Sequence, residues 1–257
     1  MKVSKLNKSS VDYGGNGNVV ILLHGFLSSS KYWSKIQPLL SASGLRVITI
    51  DLLGFGAAPK PKQSRYDYDA HLCHLGSIID SLKIKKPITI IGHSMGALVA
   101  SHFAKENPCK IKSLILLHPP LYNNAIDARY ALRETGKLYR FLLDSKYRHI
   151  GWIFMKTFLR HHMGRHTRSS REKSLQNIIE AAEIFDELET SDVDTLLLLG
   201  SKDRPEYVQN LRNATLSKYV TVIEQDVSHH SPVKNASMVF EVIEKFLEKD
   251  LLNKRCI

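Results

Sequence analysis

The stretch Ile88-Thr89-Ile90-Ile91-Gly92-His93-Ser94-Met95-Gly96-Ala97-Leu98-Val99-Ala100 decides the reading of this chain. It opens as a short apolar run over 88–92, the signature of a buried strand, and continues as a helical pattern over 95–107. Between them stands Gly-x-Ser-x-Gly. A strand that turns this abruptly into a helix holds the residue at the apex in a strained conformation with its side chain exposed. Small residues on both sides are required because a side chain there would collide with neighbouring backbone. The helix N-terminus adds backbone N–H groups beside the serine hydroxyl. The motif alone can arise by chance in a glycine turn with an incidental serine. The strand–helix context makes Ser94 a candidate nucleophile.

Outward from this point, apolar runs alternate with helical patterns. Strands are expected at 19–23, 45–50, 88–92, 114–117, 196–199 and 220–223, and helices at 32–42, 68–82, 95–107, 205–216 and 236–251. The strands are continuously apolar rather than alternating, which predicts cover on both faces. Alternation of this kind predicts an α/β fold with a mostly parallel sheet and helices on both faces. It breaks once, from about 121 to 192, where helical spacing such as Ile150, Ile153, Phe154 and Phe158 replaces any strand. The expected organisation is therefore a core of 1–120 and 193–257, with 121–192 inserted as a helical cap.

A serine nucleophile needs a base. Twelve histidines make any single one weak as a candidate. His229 lies between the 220–223 strand and the last helix, and His230 beside it competes on the residues alone. Asp203 follows the 196–199 strand in Gly200-Ser201-Lys202-Asp203, at a strand's carboxyl end, where open α/β sheets carry their ligand and catalytic groups. Its bland reading is a helix N-cap before Pro205, and Asp226 is a rival acid. The order Ser94, Asp203, His229 suits a hydrolase of this architecture. Oxyanion donors are expected from the backbone N–H groups of Phe26, after the strand ending in Leu22-Leu23-His24-Gly25, and of Met95. Their side chains would then form pocket walls. His24 reads as a structural hydrogen-bonding residue, and His93, inside the turn, points away from the hydroxyl.

Taken in order, His24-Gly25-Phe26, Asp51-Leu52-Leu53-Gly54-Phe55-Gly56, Gly92 to Gly96, Gly200 to Asp203 and Ser228 to Pro232 resemble the α/β-hydrolases of the single-domain serine esterase type. The resemblance spans nearly the whole chain from Val19. It implies a helical cap over the active site. It also favours His229 over His230, because the family's histidine commonly follows a small residue and precedes an apolar residue or proline by three positions. Two departures stand out. Ala57 and Ala58 replace the usual serine after Gly-x-Gly, and Asn235 and Ala236 replace the acid and proline after the histidine motif. A serine at 94 argues against dehalogenase and epoxide-hydrolase chemistry, which need a carboxylate nucleophile.

The expected activity is hydrolysis of a small-molecule carboxylic ester through an acyl-enzyme, with no metal and no organic cofactor. Alternatives on the same triad are cleavage of carbon–carbon bonds in vinylogous diketones and lyase or synthase chemistry. A slow ligand-binding receptor is the alternative from another class.

The net charge of +11 is read first as a basic solvated surface. A peripheral contact with an anionic membrane is the less favoured reading, and no nucleic-acid motif is present. The charge is segregated: 129–173 holds twelve Lys/Arg against three Asp/Glu, and 174–194 holds seven acids and no base. Cys73, Cys109 and Cys256 have neither disulfide nor zinc spacing. With no apolar segment among the first twelve residues and no membrane-length apolar run, the expected location is the cytoplasm.

Overall fold

A computed structural model describes residues 4–134, 164–181 and 184–253. Eight strands form one sheet: β1 (Ser4–Asn7), β2 (Ser10–Asp12), β3 (Val19–Leu23), β4 (Arg46–Ile50), β5 (Ile88–His93), β6 (Ile111–Leu117), β7 (Thr195–Gly200) and β8 (Val220–Gln225). Their spatial order is β1-β2-β4-β3-β5-β6-β7-β8. From β4 to β8 all pairings are parallel, and β1 and β2 extend the β4 side as antiparallel strands. The α/β fold with a mostly parallel sheet is as the apolar alternation predicts.

Period-2 geometry explains why the central strands are apolar at every position. Ile21, Leu23, Ile48, Ile50, Ile90, Leu116, Leu197 and Leu199 face one cluster, which contains residues of α2 (Tyr68–Ser81) and α3 (Met95–Glu106). Val20, Leu22, Val47, Ile91, Ile115, Leu117, Leu196 and Leu198 face the other, with Trp33, Ile36 and Leu40 of the segment around α1 (Ile36–Ala42) and Val239 and Ile243 of the last helix (Ala236–Asn253). Each fully buried aliphatic side chain contributes about 1.5–3 kcal/mol, so both layers are needed.

Three expectations are corrected. β1 and β2 have no apolar signature and are unforeseen. The single helix expected at 32–42 is a 3-10 turn (Ser30–Ser34) followed by α1. β8 is not covered on both faces: it is the sheet's outer strand, and Val222 is exposed.

Between β6 and β7 the described residues include helices α4 (Ala125–Glu134), α5 (Arg168–Ser174) and α6 (Ile184–Thr190), and a π-helical turn at Leu175–Ile179. Ile178, Ile184 and Leu188 are buried in the α3-side cluster. The aromatic residues Tyr139, Phe141, Trp152, Phe154 and Phe158, with most of the basic 129–173 stretch, lie outside the described residues.

Candidate active site

Every parallel strand from β3 onward except β4 ends in a residue of interest, and these ends lie side by side. Ser94 joins β5 to α3 with φ 53° and ψ −121°, a left-handed conformation rare for a side-chain-bearing residue. Its N–H donates to the carbonyl of Leu117 at 3.0 Å. The flanking glycines are obligatory: a methyl group at Gly92 would stand 2.4 Å from the Gly96 carbonyl oxygen, and one at Gly96 would stand 2.4 Å from that of Leu23. Ser94 Oγ makes no hydrogen bond among the described residues. In ligand-free sites such bonds often tighten only when substrate binds.

Asp203 leaves β7 through a short turn. Its Oδ2 accepts from His229 Nδ1 at 2.7 Å, and its Oδ1 accepts the Arg204 N–H at 2.9 Å. The N-cap of helix α7 (Pro205–Asn213) is Arg204, so Asp203 is not the cap. Burial would raise the Asp203 carboxyl, but the His118 ring 3.4 Å away and the hydrogen bonds from His229 and the Arg204 N–H outweigh it and hold the group well below the usual carboxylate range. The ionised Asp203 only accepts, so His229 Nδ1 carries the ring hydrogen and Nε2 is the basic nitrogen.

The competing residues go elsewhere. Asp226 is exposed and bonds Lys202 Nζ at 2.7 Å and Ser201 Oγ at 3.0 Å. His230 Nδ1 faces the Tyr32 hydroxyl at 3.5 Å.

The loop after β3 lies against the serine turn: a methyl at Gly25 would stand 2.8 Å from His93 Nδ1 and 3.1 Å from Ser94 Cβ. Among the described residues, neither the Phe26 nor the Met95 N–H pairs with a backbone carbonyl outside a helix or strand ladder. Phe26 packs edge-on to Phe55, whereas the Met95 side chain is wholly buried in the core. Where the chain re-enters the described region, the Gly164 N–H donates to the Leu27 carbonyl at 2.8 Å. Gly164, within the 121–192 stretch, therefore contacts this loop.

His24 is buried with both ring nitrogens engaged. Nε2 accepts the Leu52 N–H at 3.0 Å, so Nδ1 donates to the Gly25 carbonyl at 2.8 Å. Burial pushes it below its ordinary value despite nearby Asp51, and the ring acts as a neutral brace. Asp51 takes the N–H groups of Ser30 at 2.5 Å and Ala57 at 2.7 Å, so backbone supplies what a serine at 57 or 58 would have offered.

Tyr32 and His118 are site residues that the sequence reading does not single out, and His93, set aside there, also has a place in it. His93 stacks on Tyr32, with ring centroids 4.5 Å apart, and its Nε2–H donates to the His229 carbonyl at 2.8 Å. His118, directly after β6, lies between Asp203 and Ser231. A histidine between an apolar strand and Pro119-Pro120 was the available signal for it. Donor atoms of His118, Asp203 and His229 lie within 4.8 Å of one another, a His–Asp–His set of the type a transition metal can use. Within this set His229 Nδ1 bonds Asp203, and His118 Nε2 faces Ser231 Oγ.

Residues 18–177 match the family described as alpha/beta hydrolase fold. The chain belongs to that family. Among curated relatives, this α/β-hydrolase is 39% identical over 126 residues to the probable lysophospholipase BODYGUARD 2 of Arabidopsis thaliana, a match covering 46% of the chain and 26% of the relative. It is 31% identical over 106 residues to the 2-hydroxy-6-oxo-2,4-heptadienoate hydrolase of Pseudomonas putida, covering 40% of the chain and 38% of that protein. The chain thus spans about a quarter of the first relative and under half of the second. Among solved structures, MenH from S. aureus superposes with a TM-score of 0.74 at 22% identity, over 95% of this chain and 100% of that one. No helix among the described residues is long and apolar enough to cross a membrane.

Proposed function

We propose that this α/β-hydrolase cleaves a carboxylic ester by acyl transfer to water, with Ser94 as nucleophile, His229 as base and Asp203 as the acid that orients the base. The observation that carries the reading is a strained serine turn and a short His229–Asp203 hydrogen bond at the carboxyl ends of the same parallel strands, with the His93 ring beside Ser94 only 4.9 Å from that of His229. His229 Nε2 takes the Ser94 proton as Oγ attacks the carbonyl, and the imidazolium is stabilised by ionised Asp203. The Phe26 and Met95 N–H groups receive the oxyanion. Protonated His229 then gives its proton to the leaving group, and water repeats the sequence on the acyl-enzyme.

The stretch 121–192 serves in this reading as a cap that excludes water from the acyl-enzyme. The Gly164 contact with the Leu27 carbonyl supports that role. The lysophospholipase name of the plant relatives supports an ester of a fatty acid as the first substrate to try. Similarity to a hydrolase of 2-hydroxy-6-oxo-2,4-heptadienoate supports carbon–carbon cleavage on the same triad as the second reading.

The test is pre-steady-state hydrolysis of chromogenic esters across acyl lengths, with lysophospholipids and vinylogous diketone acids in the same panel. An ester hydrolase releases chromophore in a burst equal to the enzyme concentration, then turns over. Turnover of diketone acids alone would transfer the assignment to carbon–carbon cleavage. Binding without burst or turnover would make the chain a receptor.

A further inference from the structure

His118 is the one histidine described with a left-handed backbone, at φ 52°. Only a small fraction of side-chain-bearing residues adopt this conformation, and where they do it marks a position that the surroundings over-determine. The residue directly follows β6, the strand paired with β7, whose following turn carries Asp203, and its N–H is anchored to the Leu198 carbonyl at 2.8 Å. The neighbouring strand makes room for the ring, since a methyl group at Gly200 would stand 3.1 Å from His118 Cε1. The side chain is completely buried.

The two ring nitrogens face opposite partners. Nε2 lies 2.6 Å from Ser231 Oγ, and Nδ1 lies 3.4 Å from Asp203 Oδ2, the oxygen that also receives His229. An ionised carboxylate only accepts, so Nδ1 bears the hydrogen, and Nε2 of the neutral ring accepts the Ser231 hydroxyl proton. Burial, which pushes the His118 ring down against the pull of Asp203, keeps it neutral. The Ser231 hydroxyl thus holds the His118 ring, whose Nδ1 makes a 3.4 Å electrostatic contact, outside hydrogen-bond geometry, with the same Oδ2 that His229 hydrogen-bonds.

We infer that His118 is a second histidine on the triad acid, a positioning residue that fixes Asp203 and moderates its hold on the base His229. The inference rests on the proposed roles of Asp203 and His229. By sharing the negative charge of Oδ2, the His118 N–H lowers the affinity of the pair for the proton on His229. Its removal leaves Oδ2 more negative and the imidazolium more tightly held. The other groups facing this cluster are His93, His230 with Lys234 beside it, the Tyr32, Tyr122 and Tyr207 hydroxyls and Arg204, with Asp203 as its carboxylate.

The test compares the full-length wild type with His118→Ala, His118→Asn and Ser231→Ala. Asparagine tolerates the left-handed backbone and offers an N–H near the place of Nδ1. His118→Ala is expected to lower kcat by about tenfold, the effect of losing one close polar contact to a buried charge, with KM little changed. It should also move the acid limb of the pH–rate profile to higher pH, and shift the downfield proton resonance of the His229–Asp203 hydrogen bond. His118→Asn should restore the limb and the resonance, and Ser231→Ala should move both in the direction of His118→Ala by less. An unchanged limb and resonance in His118→Ala, or His118→Asn behaving like alanine in both, would overturn the inference and leave the ring as packing. If the alanine variant does not fold, Ser231→Ala decides by the same two readouts. Phosphonate labelling of wild-type Ser94 is run alongside: its failure counts against the serine-hydrolase reading, while the resonance still reports whether His118 acts on the Asp203–His229 pair.

Discussion

The two ends of the parallel strands use backbone conformation differently. At the amino ends, three of the positive-φ positions are the glycines Gly14, Gly15 and Gly44, which adopt them without steric cost, with Lys83 before β5 the one side-chain-bearing residue, and the neighbouring charges Asp12 and Arg46 pair at 2.6 Å. At the carboxyl ends, Leu27, Ser94 and His118 carry positive φ despite their side chains. Around them His24, His93 and His118 are buried. Strained side-chain-bearing residues and buried histidines are therefore concentrated at the carboxyl rim. Such features persist where surrounding structure over-determines them, and they gather at functional sites. The glycine-rich rim needs only to turn the chain; the other must also aim side chains at one point.

The largest expected effect lies at the strained rim. Ser94→Ala and His229→Ala should each lower kcat by about 10⁴-fold or more, the scale for triad members, with circular dichroism unchanged. Asp203→Asn should be comparably severe, and His230→Ala mild. An inactive His230→Ala beside an active His229→Ala would reverse the assignment.

A matched pair of glycine substitutions sharpens the contrast in stability. Gly92→Ala forces a methyl into the Gly96 carbonyl and the Ala97 backbone, so soluble folded protein should be lost or its Tm greatly lowered. At Gly44, φ is +87° but nothing lies within 4 Å of an added methyl, so Gly44→Ala should cost only about 1–2 kcal/mol of backbone strain. Equal losses at the two positions would remove the distinction between the rims.

The smallest effects are in pH. Burial lowers His71 to about 3, and also pushes His24, His93 and His118 below their ordinary 6.5. The unfolded chain binds protons that the fold refuses, so stability should be greatest above pH 6.5 and fall as pH drops from there toward 3. His102 has the opposite sign. Its hydrogen bond to Glu187, at 2.5 Å, raises it, so its contribution is full below 6.5 and fades as pH rises through its raised value. His102→Gln should therefore lower Tm more at pH 6 than at pH 9, as thermal melts at the two pH values can measure.

The contrast also explains what the sequence conveyed. Central strands are legible because both faces are buried, so every position is apolar. β1 and β2 are short, polar and antiparallel, and leave no such trace. Ser94 was legible because its turn demands glycines at fixed offsets, and Asp203 and His229 because each follows an apolar strand in the right order. His93, His118 and Tyr32 act through contacts between residues far apart in sequence, such as the 113 positions from His118 to Ser231. No local pattern encodes those contacts. The exposed face of β8 was misread because its apolar run does not reveal that it is the outermost strand.

The central claim is that the strained rim activates Ser94 through His229. Its most direct test is labelling with a fluorophosphonate probe, followed by peptide mass spectrometry of wild type, Ser94→Ala and His229→Ala. The account predicts a single adduct on Ser94 in the wild type, none in Ser94→Ala and strongly slowed labelling in His229→Ala. An adduct on another serine, or equal labelling of wild type and Ser94→Ala, would contradict it.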